Sequence, residues 1–129
     1  MRVLVAFDKF KDALPARAAC EAAAHALRAK HPDWTLDLCP LTDGGEGFCE
    51  TLTAAAQGRL DYHVVSGPRG GLVHAPVGFV DAKNIPAPVR DRLNSKRRLA
   101  IVDLPSASGI GLLPADRRDP WHTTTHGTG

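Results

Sequence analysis

Val3-Leu4-Val5-Ala6-Phe7, closed by Asp8, is a continuous apolar run near the start of the chain. A run of this kind suits a strand covered on both faces of a parallel sheet. Beyond it, Asp8-Lys9-Phe10-Lys11-Asp12 reads as a charged loop, and Pro15 stands where the first turn of a helix tolerates a missing N–H. From Ala16 to about Lys30, Ala19, Ala22, Ala23, Ala26 and Leu27 recur at three- and four-residue steps. That spacing predicts a helix whose alanine stripe packs close to its sheet. His31-Pro32 ends it. Trp34, Leu36 and Leu38 then alternate with Thr35, Asp37 and Cys39, the period of a second strand. Strand, helix and strand within about forty residues predict a right-handed βαβ unit.

Outward from this unit the texture changes. Thr42-Asp43-Gly44-Gly45-Glu46-Gly47 is the densest turn signal, and a helix is expected over Phe48–Gln57 with Gly58 as its left-handed cap. Tyr62–Ser66 and Leu72–Asp81, joined across Gly67-Pro68-Arg69-Gly70-Gly71, read as a hairpin. Residues 1–60 are therefore expected to open an α/β domain on a parallel sheet, and 61–129 to begin a second, mixed subdomain. Residues 82–98 read as an exposed excursion, Leu99–Leu104 as another buried strand, and Ser106-Ala107-Ser108-Gly109 as a tight turn. Thr123–Gly129 is a Thr/Gly cluster of the sort that introduces a helix, so the sequence is expected to be truncated there.

Composition narrows the class. The 129 residues are 43% hydrophobic with a formal net charge of +2, which argues for a folded domain. Lys96-Arg97-Arg98 and Arg117-Arg118 lack interleaved aromatics and read as solvated faces, so no nucleic-acid partner is expected. Cys20, Cys39 and Cys49 form no CxxC pair and read as reduced, mostly buried residues of a cytoplasmic protein. The first apolar run is too short for a signal-peptide core or a membrane span, so no membrane partner is expected. Nothing in the pattern sets an oligomeric state.

Two loops carry candidate chemistry. Asp8–Asp12 follows the first strand, and ligands of α/β sheets bind beyond the carboxyl ends of strands. Lys9 and Lys11 are compact cations suited to phosphate or carboxylate oxygens, although an ordinary charged loop has the same composition. In Asp43-Gly44-Gly45-Glu46-Gly47, glycines allow close approach of N–H groups to an anion and a helix N-terminus follows. Asp43 and Glu46 suit such a site if magnesium intervenes, or if Asp43 takes a hydroxyl proton. The competing reading is plain capping, with Thr42 or Asp43 as cap and Glu46 near the first turn. GxxxxGK[ST] and GxGxxG are both absent, His122 and His126 lack a helical setting and a third ligand, and no GxSxG surrounds Ser106 or Ser108. Residue chemistry alone describes an anion-binding α/β domain with no dedicated metal site.

The motifs taken together go further. Phe7–Leu14 resembles the PDSFK-x-SL opening of the type-1 glycerate kinase family, and Pro40–Gly47 is similar to its P-x-ADGGEGT loop. Ser66–Gly70 resembles TGPLG, Ser106–Leu112 resembles ASGL-x-L, and Thr123–Gly129 resembles TTTYGTG. Lys9 replaces the usual serine, Phe48 a threonine and His126 a tyrosine, and a later glycine-rich segment resembling GGSATNDGG is absent. The resemblance implies an α/β kinase with a Rossmann- or flavodoxin-like first domain (residues 1–60 here) and a second α/β domain begun by 61–129, its active site in a cleft, with ATP and Mg2+ as cofactors and D-glycerate as acceptor. Phosphorylation at the 2-hydroxyl is favoured. It implies catalytic roles for Asp8, Lys11 and Asp43. Lys9, Gly44, Gly45, Glu46, Gly47, Thr125 and Gly127 would bind substrate or phosphate. As an N-terminal fragment of that family, this polypeptide is expected to be inactive alone. The alternatives are a non-catalytic α/β sensor for a small anion or flavin, and a kinase of another hydroxy acid.

Overall fold

The computed structural model describes residues 1–93 and 97–129, so Lys96 of the first basic cluster, with part of the 82–98 excursion, lies outside the described residues. The chain forms two compact units, Met1–Asp43 and Gly44–Gly129.

In the first unit, β1 (Arg2–Val5) pairs in parallel with β2 (Thr35–Leu38), with Arg2 opposite Thr35 and Val5 opposite Leu38. α1 spans Ala16–Lys30, the expected range, with Arg28 and Lys30 complementing the negative end of its dipole. Its buried residues are Ala16, Ala19, Cys20 and Ala24, whereas Ala22 and Ala26 of the predicted stripe are exposed. In so alanine-rich a helix several faces satisfy the spacing rule. Val5 is buried, and its carbonyl accepts the Cys20 thiol at 3.5 Å. The first strand is not covered on both faces, for Leu4 keeps 66% of its surface exposed. β1 has β2 as its sheet neighbour, and α1 packs on one side only.

In the second unit, α2 (Phe48–Ala55) packs on an antiparallel sheet ordered β3-β4-β5, built from Arg59–Ser66, Leu72–Asp81 and Arg98–Ile101. α2 carries Cys49 and Thr53 into the core beside Val80, all at most 1% exposed. A Cβ on Gly78 would collide with the Thr53 side chain, so glycine in β4 lets helix and sheet meet. The break between units therefore precedes α2, ahead of the change of sequence texture near residue 60.

Three local expectations are corrected. Gly58 is not the left-handed cap: Gln57 has φ 52°, and Gly58 is needed because a Cβ there would lie 2.6 Å from the Phe79 carbonyl. Within the 82–98 excursion, a 3-10 turn forms at Ala82–Asn84 and a one-turn helix α3 at Ala87–Arg90. The strand expected over Leu99–Leu104 stops at Ile101, and in place of the tight turn expected at Ser106–Gly109, α4 occupies Leu104–Ser108 with Asp103 as N-cap and Gly109 as C-cap. Pro105 in the first turn fits that start. β5 is an edge strand with Ala100 exposed, and Val102 beyond it is 55% exposed. The C-terminal Thr/Gly cluster closes in a 3-10 turn at His126–Thr128. Among the described residues, no helix is long and apolar enough to cross a membrane.

Candidate functional site

The strand-end loops of the first unit are brought side by side by the backbone. Beyond Leu38, Cys39 N donates to Val5 O and Leu41 N donates to Phe7 O, both at 2.8 Å, so the two chains run together past the carboxyl ends of β1 and β2. Asp8-Lys9 and Thr42-Asp43 follow directly. Lys9 Nζ consequently reaches Asp43 Oδ1 at 2.8 Å, and Asp8 Oδ1 accepts from Lys9 N at 2.6 Å. Lys11 lies one turn further, exposed, in a loop closed by Phe10 and Leu14. Asp12 in that loop adopts φ 59°.

In the second unit, Gly44 and Gly47 take φ 92° and 84°, conformations that side chains rarely adopt. Gly47 is the N-cap of α2 and makes no side-chain cap bond, so the capping reading for Thr42 or Asp43 is not what starts this helix. The acidic group that meets the α2 backbone comes from far away: Cys49 N donates to Asp103 Oδ2 at 3.0 Å. Glu46 is exposed, and its Oε1 lies 3.8 Å from where a Cβ on Gly111 would stand, just after α4.

The last candidate block docks within the same unit. Thr124 N donates to Pro68 O at 2.9 Å, and Ser108 Oγ lies 2.7 Å from Thr128 Oγ1. Gly127 presses on the Ser66 carbonyl so closely that a Cβ would overlap it. Thr125 is exposed, and its carbonyl accepts from Thr128 N at 3.0 Å. The turn at Ser66–Gly70, the end of α4 at Ser108 and the segment Thr123–Gly129 thus converge. Asp8, Lys9 and Asp43 form one group in the first unit. The glycine loop, Thr125 and Gly127 belong to the second.

The residues that sequence reasoning passed over are Asp103, Ser108 and Thr128, which tie these blocks together. Asp103 was legible in principle, because Asp-Leu-Pro-Ser carries a cap residue and an early proline. Burial pushes the Cys49 thiol above its ordinary range, and the nearby Asp103 and Glu50 carboxylates push the same way. That thiol donates to Ile101 O at 3.1 Å and Pro76 O at 3.7 Å, as expected of a structural cysteine. All three cysteines are free thiols.

The sequence profile of the glycerate kinase family matches residues 3–129. The chain is 35% identical over 129 residues to a glycerate kinase of Bacillus subtilis (strain 168) and 33% identical to a glycerate 2-kinase of Escherichia coli (strain K12). All of this chain is matched in each case, but about 30% of each relative's length. A crystal structure from Salmonella typhimurium LT2, described as a glycerate kinase 2, superposes with a TM-score of 0.67 at 33% identity. It covers 99% of this chain and 31% of that one. The α/β fold, the order of the glycine-rich blocks and the profile match lead to one assignment: the chain belongs to the glycerate kinase family.

Proposed function

We propose that this chain supplies the N-terminal part of a cytoplasmic kinase that transfers the terminal phosphoryl group of ATP to D-glycerate, with 2-phosphoglycerate as product. The observation that carries the reading is the 2.8 Å pairing of Lys9 with Asp43 at the ends of two parallel strands, with Asp43 leading straight into the glycine loop. Cations, carboxylates and backbone amides are groups that phosphoryl transfer uses, because the chemistry depends on in-line positioning and neutralisation of oxygen charge.

The residues fit ATP with Mg2+. Asp8 and Asp43 offer carboxylate oxygens of the type magnesium takes, and the amides of Gly44–Gly47 precede the positive end of α2. Bound magnesium supplies charge neutralisation on phosphate oxygens. Lys11, with Lys9, neutralises substrate carboxylate or phosphate. With magnesium held by Asp8, Asp43 orients the glycerate hydroxyl and takes its proton; the alternative is that Asp43 holds the metal and Asp8 orients the hydroxyl. The backbone at Gly44–Gly47, together with Glu46, Thr125 and Gly127, shapes the anion side. The similarity to a glycerate 2-kinase of Escherichia coli favours the 2-hydroxyl.

Spanning about 30% of its relatives, the chain alone is proposed to be inactive. The test joins residues 1–129 to the part of the Bacillus subtilis glycerate kinase that lies beyond its matched segment. Incubated with ATP, Mg2+ and D-glycerate, this chimera is expected to release ADP and 2-phosphoglycerate, while the 129-residue chain releases neither. A folded chimera that leaves ATP intact with a panel of hydroxy acids overturns the kinase reading and favours a non-catalytic anion-binding domain.

A further inference from the structure

Asp103 lies two residues beyond the end of β5, at the N-cap of α4, and is only 7% exposed. Its two carboxylate oxygens serve two different helices. Oδ1 accepts from Ser106 N at 2.9 Å and caps α4, while Oδ2 accepts from Cys49 N at 3.0 Å, 54 positions away in the chain. α2 begins at a left-handed glycine and has no side-chain cap of its own. A first-turn amide of the helix that follows the glycine loop is therefore held by a residue outside that loop. The same junction is fastened again by the Cys49 thiol on Ile101 O, and the far end of α4 carries Ser108 against Thr128.

We infer that Asp103 is a positioning residue for the kinase site: it ties the first turn of α2, directly after the Gly44–Gly47 loop, to the first turn of α4, and through Ser108 to the C-terminal Thr/Gly segment. The inference rests on the kinase reading. Two acceptors are needed at once, which a carboxylate has and an amide lacks. Asp103→Asn keeps the volume but turns an N–H donor towards one of the two backbone N–H groups. Asp103→Glu keeps both acceptors.

Two measurements test it. In the 129-residue chain, Asp103→Asn is expected to speed amide hydrogen exchange at Cys49 or Ser106 about tenfold while leaving the Val80 and Cys20 amides as in wild type. In the chimera, the same substitution should lower kcat for glycerate about tenfold or more, with the melting temperature nearly unchanged, because small displacements of positioning groups are amplified in rate. Asp103→Glu should recover most of the loss. Wild-type exchange at both amides, an unchanged kcat, or a loss that only follows the unfolded fraction would each overturn the role. If the unsubstituted chimera makes no ADP, the kinase reading fails and the positioning role with it. The exchange data then still report whether Asp103 holds the two helix starts.

Discussion

Lys9 Nζ sits 2.8 Å from Asp43 Oδ1, joining residues 34 apart in the chain. The lysine side chain is 20% exposed and the aspartate 65%, so the pair is open to water on one side. Pairs of that kind contribute about 0.2–1 kcal/mol to stability.

Asp43→Asn is therefore expected to shift the melting temperature of the chain by less than about 4 °C. In the chimera it should reduce turnover about a hundredfold, the scale of losing a group that orients and deprotonates the acceptor. Lys11→Ala, in an exposed turn, should behave the same way. ADP release measured beside a thermal melt separates the two effects, and near-normal rates would remove either residue from the site.

Gly78→Ala should destabilise the second unit by roughly 1–3 kcal/mol, because the added methyl meets Thr53 in a packed core. Thr53→Ala in the same chain should restore part of that loss, since the two positions share one space. Denaturant midpoints of the two single variants and the double variant give the coupling.

Cys49 predicts a pH dependence. Burial raises its thiol pKa above the ordinary 9.0, so the folded state disfavours the thiolate. The stability this represents is present below pH 9.0 and is lost as pH rises through the folded value. Wild-type stability should fall more steeply above pH 9.0 than that of Cys49→Ala, as read by urea unfolding at stepped pH. In a brief exposure to iodoacetamide at neutral pH, Cys39 should be alkylated well before the fully buried Cys20 and Cys49.

Thr128→Val removes the partner of Ser108 and should loosen the C-terminal segment without unfolding the chain. One lost hydrogen bond costs about 0.5–1.5 kcal/mol. Hydrogen exchange should rise locally over Thr124–Thr128 and stay unchanged in β4. A global change would show that the segment is part of the cooperative core.

The legible parts of this fold were those written in local periodicity. α1 was read with its observed ends, and the β3–β4 hairpin followed from its glycines, because neighbours along the chain decide both. What escaped was settled by distant residues. Which face of α1 is buried depends on Val5, and any alanine face would have served. Gly58 was read as a cap, but its smallness answers to Phe79 across the sheet. Leu104 looked like strand because it is apolar, yet Asp103 had already started a helix. The candidate loops were found from their place after strands. Their mutual fastening through Asp103 and Ser108 was not, since no spacing rule links position 49 to position 103.

The connection at Gly67–Gly71 looks at first like an ordinary tip, with Gly70 at φ 79°. Yet Gly67 and Pro68 are buried, and Pro68 holds Thr124 from outside. This bend is thus the wrong place to splice in a peptide epitope or a reporter dye, for an inserted residue there would undo the clasp that Thr124 makes on Pro68 from far downstream. The exposed residues of α3, Ala87–Val89, are the permissive address for such additions.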